Sequence, residues 1–384
     1  MMRDTQVGID IGSYSIKVAV IEHDKKTGLP RVLGIGNASS RGMRQGYVIN
    51  KRELSEQIKT ALDLASEQSK KKIKKVRVSI GGASIESELG EGSSIPSRSD
   101  GIVTTLDVEK AIKESSKKIS LANKKVLFSA PTEFHLDNKK IMGRPEGLSG
   151  IKLSVRTLFV TVNSKHFDDL MSAIGETGVD IEEVTPVGIS ASNPFLTEKQ
   201  KTAGCLVINI GAETVTLSLY DDGYLQAIQV LPLGGNDITN DIALGFKISL
   251  EEAESIKLGS LIKDISKRKL DEIIEARLID MMELIDSFLK KHKRSGLLPA
   301  GVIIIGGCSH TANIEDIARS NLSVPAGIPS ATVASDSPVR LKDPAWFGAF
   351  GITLGENDSV VGEGGSSFGG IKSLFSSFFK QFEP

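Results

Sequence analysis

Apolar and polar residues follow the same pattern at two places about half a chain apart. In the first, Val7-Gly8-Ile9-Asp10-Ile11-Gly12 is an apolar run closed by Asp-Ile-Gly. Ser13-Tyr14-Ser15 breaks it, and Ile16-Lys17-Val18-Ala19-Val20 resumes a strand-like run. In the second, Val207-Ile208-Asn209-Ile210-Gly211 ends in Asn-Ile-Gly. Ala212-Glu213-Thr214 breaks it, and Val215 to Tyr220 alternates again. Each stretch predicts strand, tight turn, strand. A unit that occurs twice predicts two related α/β lobes facing each other.

Elements between and after the hairpins follow from the same patterning. Leu54, Ile58, Ala61, Leu62 and Ala65 recur at helical spacing within Asn50 to Gln68, and Val76 to Ile80 reads as a strand stopped by Gly81-Gly82. Residues 85–162 read as an insertion with a short helix near Val108 to Ile119 and strands at Lys125 to Phe128 and Leu153 to Val162. Phe167 to Gly175 is helical, Ala227 to Leu233 is a strand, and Asp237 to Lys293 is charged and mostly helical. Gly301 to Gly307 is a buried strand ending in a glycine turn. Glu356 to Gly370 has the Gly/Ser composition of a flexible linker. In the last segment, at about 100° per residue, Ile371, Leu374, Phe375, Phe378, Phe379 and Phe382 share one face. Lys372 and Lys380 fall among the polar positions. Such an amphipathic helix inserts its rings at the acyl boundary and sets its lysines on anionic headgroups. Docking on the protein's own core or in a partner's groove is the alternative.

Composition narrows the classes. A length of 384 residues suits several subdomains. A net charge of −1 gives no basic field, and Lys70-Lys71-Lys72 has no interleaved aromatics, so no nucleic-acid partner is expected. No window approaches the roughly 20 apolar residues of a spanning helix. Arg3, Asp4 and Gln6 interrupt the start of the chain, so no leader is expected there. The expected location is the cytoplasm, with any membrane contact peripheral. Cys205 and Cys308 stand far apart and the histidines have no metal spacing, which points to a reducing compartment and to no metal cluster.

The candidate chemistry lies at the turns. A glycine-tipped hairpin aims backbone N–H groups at a phosphate. Asp10, before the first turn, is placed to reach Mg²⁺ through a bound water, and Ser13, Tyr14 and Lys17 are donors beside it. With the second hairpin and Gly306-Gly307, these residues predict a phosphate clamp between two lobes with a nucleoside beside it.

These three motifs resemble the two phosphate motifs and the adenosine motif of the actin/heat-shock-chaperone/sugar-kinase superfamily. Within it, the resemblance to the FtsA family covers nearly the whole chain. It is carried by Ser40-Arg41-Gly42-Met43 with Gly46 and Val48, by Gly147-Leu148-Ser149-Gly150, and by Leu231 to Ala243. Ala253-Glu254-Ser255-Ile256-Lys257 and Pro344 with Phe347-Gly348-Ala349-Phe350-Gly351 complete it. The resemblance implies an actin-like two-lobed α/β ATPase fold with an FtsA-type inserted subdomain and a C-terminal amphipathic helix. It implies ATP with Mg as the cofactors. Beyond the first hairpin, Gly211, Thr214, Gly234, Gly235 and Asn236 would lie at the phosphates, Glu254 and Lys257 at the ribose and adenine, and Gly306, Gly307 and Ser309 at the nucleoside.

The implied organisation has a first lobe of 1–84 and 163–200 and an insertion of 85–162. A second lobe of 201–236 and 299–355 carries a helical subdomain, 237–298, followed by a linker of 356–370 and the membrane helix 371–384. The implied partners are the C-terminal tail of FtsZ, received near Lys269 and Arg277, other copies of the chain in a filament, and lipids of the cytoplasmic face at the division site. The implied role is to tether the FtsZ ring to that membrane. The chain departs from the family's D-x-G-G-G-T at the second hairpin. Asn209 replaces the carboxylate and Glu213 adds a negative charge, so nucleotide binding with weak or absent hydrolysis is expected. A PilM-type pilus-assembly scaffold and a sugar kinase are the alternatives within the superfamily.

Overall fold

The computed structural model describes residues 5–23, 29–141, 143–260, 265–330 and 342–354. The expected linker and amphipathic helix lie outside these residues.

The first lobe opens with β1 (Thr5–Ile11), β2 (Ser15–His23) and β3 (Pro30–Ser39), followed by the short strands β4 (Met43–Arg44) and β5 (Tyr47–Val48). Helix α1 (Lys51–Ser69) comes next, capped by Asn50, whose side chain accepts from the Glu53 N–H. Its buried residues Leu54, Ile58, Ala61, Leu62 and Ala65 form one stripe. That stripe reaches the sheet closely because β3 has Gly36 opposite it, where a Cβ would fall 1.9 Å from the Ala61 carbonyl oxygen. Strand β6 (Lys75–Ile80) then enters the sheet.

The insertion contains β7 (Glu86–Ser94), α2 (Thr105–Ser116), β8 (Lys124–Leu136), β9 (Lys139–Ile141) and β10 (Leu153–Asn163). The chain returns to the first lobe through α3 (Ser164–Gly175), β11 (Asp180–Pro186) and α4 (Val187–Ser190). Helix α5 (Glu198–Ala203) leads into the second lobe. There β12 (Cys205–Ile210), β13 (Val215–Asp221) and β14 (Tyr224–Leu231) are followed by α6 (Gly235–Phe246), α7 (Leu250–Lys257) and α8 (Lys267–Lys291). Strand β15 (Val302–Ile305), helix α9 (Ile314–Leu322), strand β16 (Ala326–Gly327) and helix α10 (Phe347–Leu354) end the described chain.

The duplicated hairpins expand into a duplicated sheet. The first lobe has the strand order β3-β2-β1-β6-β11, with the first three antiparallel and the rest parallel. The second lobe repeats it as β14-β13-β12-β15-β16. The insertion extends the second sheet at its β14 edge in the order β7-β10-β8-β9, through a pairing of Gln229 with Glu86. Ser87 reinforces the seam, its hydroxyl exchanging hydrogen bonds with the carbonyl and N–H of Ile228, both at 2.8 Å.

Two features differ from the sequence expectation. Strand β7 was not expected, because Glu86 to Ser94 is polar and contains Gly90 and Gly92. Helix α2 lies directly on those glycines: a Cβ at Gly92 would fall 2.1 Å from the Ala111 oxygen and one at Gly90 would fall 2.3 Å from the Ser115 oxygen. The last helix also changes lobe. Chain order assigns 299–355 to the second lobe, but α10 packs on the first-lobe sheet, where Ala349, Phe350 and Leu354 cluster with Ala19, Ile21 and Val32. Its residues are buried all round, so it cannot sit at a surface edge.

Candidate nucleotide site

The parallel strands β1 and β6 end on one side of a cleft, and β12 and β15 end on the other. Each runs into glycine there, at Gly12, Gly81, Gly211 and Gly306. The cleft encloses about 1090 Å³, its open mouth included. Of the residues singled out in the sequence, Asp10, Gly12, Ser13, Tyr14, Lys17, Gly211, Thr214, Gly235, Asn236, Glu254, Lys257, Gly306 and Gly307 line it. Gly234 and Ser309 do not. Ser309 is buried and its hydroxyl donates to the Gly306 carbonyl at 2.8 Å, so it braces the turn instead of facing the cleft.

Asp10 is partly buried at the end of β1. Burial raises its pKa above the ordinary 3.8, against the opposing effects of the Lys17 charge and a hydrogen bond from Ser79. Lys17 donates to the Ser15 hydroxyl at 2.8 Å. Helix α10 begins directly over the carboxylate: a Cβ at Gly348 would fall 2.7 Å from Asp10 Cγ and Oδ2. The helix start therefore approaches Asp10 because position 348 has no side chain.

The second hairpin leans on α6. The Gly235 N–H donates to the Gly211 oxygen at 2.9 Å, and the Asn236 N–H to the Ala212 oxygen at 2.8 Å. The Gly234 N–H goes to the Asp237 carboxylate at 2.7 Å. These three amides were expected at a phosphate, yet each already has a protein acceptor. What Gly235 supplies is room: a Cβ there would fall 2.5 Å from Cys308 Sγ and 3.6 Å from Lys257 Nζ. Gly306 has φ of 92°, and a Cβ would fall 2.4 Å from Asn209 Oδ1, so conformation and space both call for glycine.

At the other end of α7, Glu254, Lys257 and Thr239 form one unit. Lys257 Nζ lies 2.6 Å from Glu254 Oε2 and donates to Thr239 Oγ1 at 2.8 Å and to the Gly235 oxygen at 3.0 Å. The Thr239 hydroxyl donates to Glu254 at 2.5 Å. The Cys308 thiol, pushed up by burial, lies 3.5 Å from the Gly211 oxygen. Thr239 and Gly348 were not singled out as site residues. Thr239 appears in the sequence only as one helix residue among many, and Gly348 as one of two glycines in an apolar run.

Glu213 behaves unexpectedly. Its Oε2 accepts the Gln45 N–H at 2.5 Å, from the turn between β4 and β5 in the other lobe. That turn belongs to the Ser40-Arg41-Gly42-Met43 segment, whose place in the site the sequence did not reveal. Gln45 and Gly46 both have positive φ, and a Cβ at Gly46 would fall 2.3 Å from Gly82 Cα.

A set of glycine-walled turns lined by the carboxylate of Asp10 and the amines of Lys17 and Lys257 fits a phosphorylated nucleoside. Among the described residues no group of three or more His, Cys, Asp and Glu gathers at one place. The residues expected at a partner lie on α8. Arg277 donates two hydrogen bonds to Asp241, at 2.5 and 2.9 Å, and Lys269 donates to the Gly245 oxygen at 2.5 Å, above the Phe246 ring. Among the described residues no helix is long and apolar enough to cross a membrane.

Two family models match the sequence: cell division protein FtsA over residues 206–380, and the SHS2 domain inserted in FtsA over residues 82–161. The cell division protein FtsA of Pseudomonas aeruginosa is 25% identical over 372 residues, covering 91% of this chain and 88% of the relative. That of Bacillus subtilis is 24% identical over 369 residues, covering 90% and 82%. Among solved structures, a chain of the PilM–PilN type IV pilus biogenesis complex superposes with a TM-score of 0.70 at 18% identity, over 94% of this chain and 100% of that one. MreB5 of Spiroplasma citri bound to AMPPNP superposes with a TM-score of 0.51 at 13% identity, over 100% of each. With the SHS2 insertion set into a duplicated actin-like fold, the chain belongs to the FtsA family of cell-division proteins.

Proposed function

We propose that this protein binds an adenine nucleotide in the interlobe cleft, assembles into filaments and links FtsZ to the cytoplasmic membrane during division. The carrying observation is the meeting of four glycine-ended strands in one cleft, lined also by Asp10, Glu254 and Lys257. The binding of AMPPNP by a protein of the same fold supports the choice of ligand. Asn209 cannot polarise an attacking water as a carboxylate would, so the nucleotide acts as a structural or switching ligand and not as a rapidly consumed one. Ser13, Tyr14 and Lys17 would hold phosphate oxygens. Asp10 would hold a water of Mg²⁺, whose charge would neutralise the phosphates.

The membrane reading rests on the sequence of 371–384, with its Phe-rich face and two lysines. One such segment binds weakly, and a filament multiplies it. The FtsZ reading rests on family membership and the cationic groups Lys269 and Arg277 on α8.

The deciding experiment is co-sedimentation with anionic vesicles, comparing the full chain with one ending at Gly370, with and without Mg-ATP. Pelleting of the full chain alone supports the tether. If both forms stay in the supernatant, the tail is not a membrane anchor, the tether reading fails, and the pilus-type scaffold is the reading to test next.

A further inference from the structure

The first lobe has two ends. At one, β1 reaches the cleft with Asp10 and Gly12. Helix α10 starts there, with Gly348 over Asp10, and runs back along β1 until Ile352 and Thr353 lie against Gly8. Its last residue, Leu354, clusters with Ile21 and Val32. The chain therefore leaves for residues 355–384 at the end of the lobe that points away from the cleft. Helix α1 finishes at that same end, on the other face of the sheet. A Cβ at Gly34 would fall 2.6 Å from the Ser69 nitrogen, and Gly34 is in register with Val20 and, through it, with Val7.

Five lysines follow α1: Lys70, Lys71, Lys72, Lys74 and Lys75. The N–H groups of Lys70 and Lys71 are tied back to the Glu67 and Ser66 oxygens at 3.3 and 3.2 Å. Ile73 packs against the core, and the lysines on either side of it are exposed. The backbone is thus held while the ammonium groups stand in water. Lys75 lies 3.6 Å from Glu182. Lys70, Lys71, Lys72 and Lys74 form no ion pair among the described residues. The exposed acids in backbone contact with the cluster are Glu67 and Asp180, so it keeps a positive excess. A helix C-terminus attracts cations only within its last turn, and Lys72 and Lys74 lie beyond it.

We infer that Lys70, Lys71, Lys72 and Lys74 are a second membrane contact, which recognises the anionic headgroups of the bilayer that the tail enters. The inference rests on the reading of 371–384 as a membrane segment. Composition gives 355–370 the reach of a Gly/Ser-rich coil, about 22 Å for its 16 residues, so a bilayer holding the tail lies near the end of the lobe that carries the lysines. One amphipathic segment binds reversibly, and a polybasic patch beside it supplies the second signal that firm attachment takes. Each lysine near an anionic surface adds about fivefold to affinity. Docked this way, the cleft faces away from the lipid and stays open to solvent.

The test is sedimentation of the full chain with vesicles of phosphatidylcholine alone and with vesicles containing one-third phosphatidylglycerol. In one variant the four lysines are changed to glutamine. In a control of equal net charge, the exposed Lys110, Lys118, Lys139 and Lys152 of the insertion are changed instead. The variant is expected to lose at least about tenfold in partition coefficient on the anionic vesicles and no more than about twofold on the zwitterionic ones. The control should stay within about threefold of the natural chain on both. Unchanged binding by the variant, an equal loss in the control, or equal losses on both vesicle types would overturn the inference while leaving the tail anchor standing. If the natural chain stays in the supernatant with both vesicle types, the tail reading fails and the inference with it. Loss of retention on duplex DNA, with vesicle binding intact, would make the cluster a nucleic-acid contact and overturn the lipid assignment.

Discussion

Replacing Gly348 with alanine tests whether the start of α10 and the Asp10 carboxylate are fitted to one another. In an unconstrained helix the change stabilises by about 1 kcal/mol, because glycine loses more backbone freedom on folding. Here the three atoms nearest the added Cβ all belong to Asp10, at 2.7, 2.7 and 3.1 Å. The carbon–carbon approach is short by roughly 1 Å of the optimal separation, and overpacking of that kind costs about 1–3 kcal/mol. Asp10 is half-buried on β1 and α10 is buried on every side, so the helix does not move aside freely. The overlap therefore cancels or outweighs the propensity gain.

Removing the obstacle should restore that gain. In an Asp10→Ala background, Gly348→Ala should stabilise by about 1 kcal/mol, giving a coupling of about 1–3 kcal/mol in the double-mutant cycle. Urea unfolding followed by circular dichroism reads all four proteins. Gly351→Ala is the control: its Cβ would fall 1.8 Å from the backbone oxygen of Ser190, so no change at Asp10 can relieve it. Additivity of Gly348→Ala and Asp10→Ala within about 0.5 kcal/mol would refute the fit between helix and carboxylate.

Asp10→Asn should raise the melting temperature of the nucleotide-free protein at pH 7 while abolishing nucleotide affinity. Since folding raises the Asp10 pKa, the native state binds the extra proton, and its stability falls as pH rises from about 3.8 through the folded value; the variant should lack that slope in scanning calorimetry. Gly92→Ala should lift α2 from β7 and cost about 1–3 kcal/mol, read as faster amide exchange in 86–94 and 105–116 with the hairpins unaffected. Asp241→Ala should tighten binding of an acidic FtsZ tail peptide several-fold in fluorescence anisotropy, because Arg277 is engaged by Asp241 and a competing carboxylate must displace it; weaker binding would place the peptide elsewhere.

The parts of this fold that declare themselves in the sequence are those whose side chains follow one period. The hairpins do, since β1, β2, β12 and β13 each bury a set of apolar residues and meet at short polar turns. Helix α1 does, through a single stripe. Strand β7 does not: Gly90 alone is buried along it, and it is held by backbone pairing with β10 and by α2 resting on its glycines. Helix α10 is apolar on all faces and so has no side that reveals which lobe it joins. Glu213 looked like a defect in a phosphate turn because its hydrogen-bond donor, the Gln45 N–H, lies 168 residues away in sequence.

The arrangement of strands explains why the cleft keeps its shape while its charge differs from the family pattern. β1 and β6 run parallel, as do β12 and β15, so all four carboxyl ends face one space between the lobes. Ligands in open α/β sheets collect at such ends. The geometry comes from strand direction and from glycines that let backbone cross backbone, as at Gly306 over Ile210 and Gly46 over Gly82. The hydrogen bonds that seat this hairpin on α6 use the backbone oxygens of Gly211 and Ala212 and so do not depend on the side chain at 212. A substitution at the tip of the second hairpin can therefore change the charge offered to a phosphate without disturbing the cradle. Glu213 nevertheless has a defined partner in this fold, the Gln45 N–H of the other lobe, so its side chain joins the two walls of the cleft.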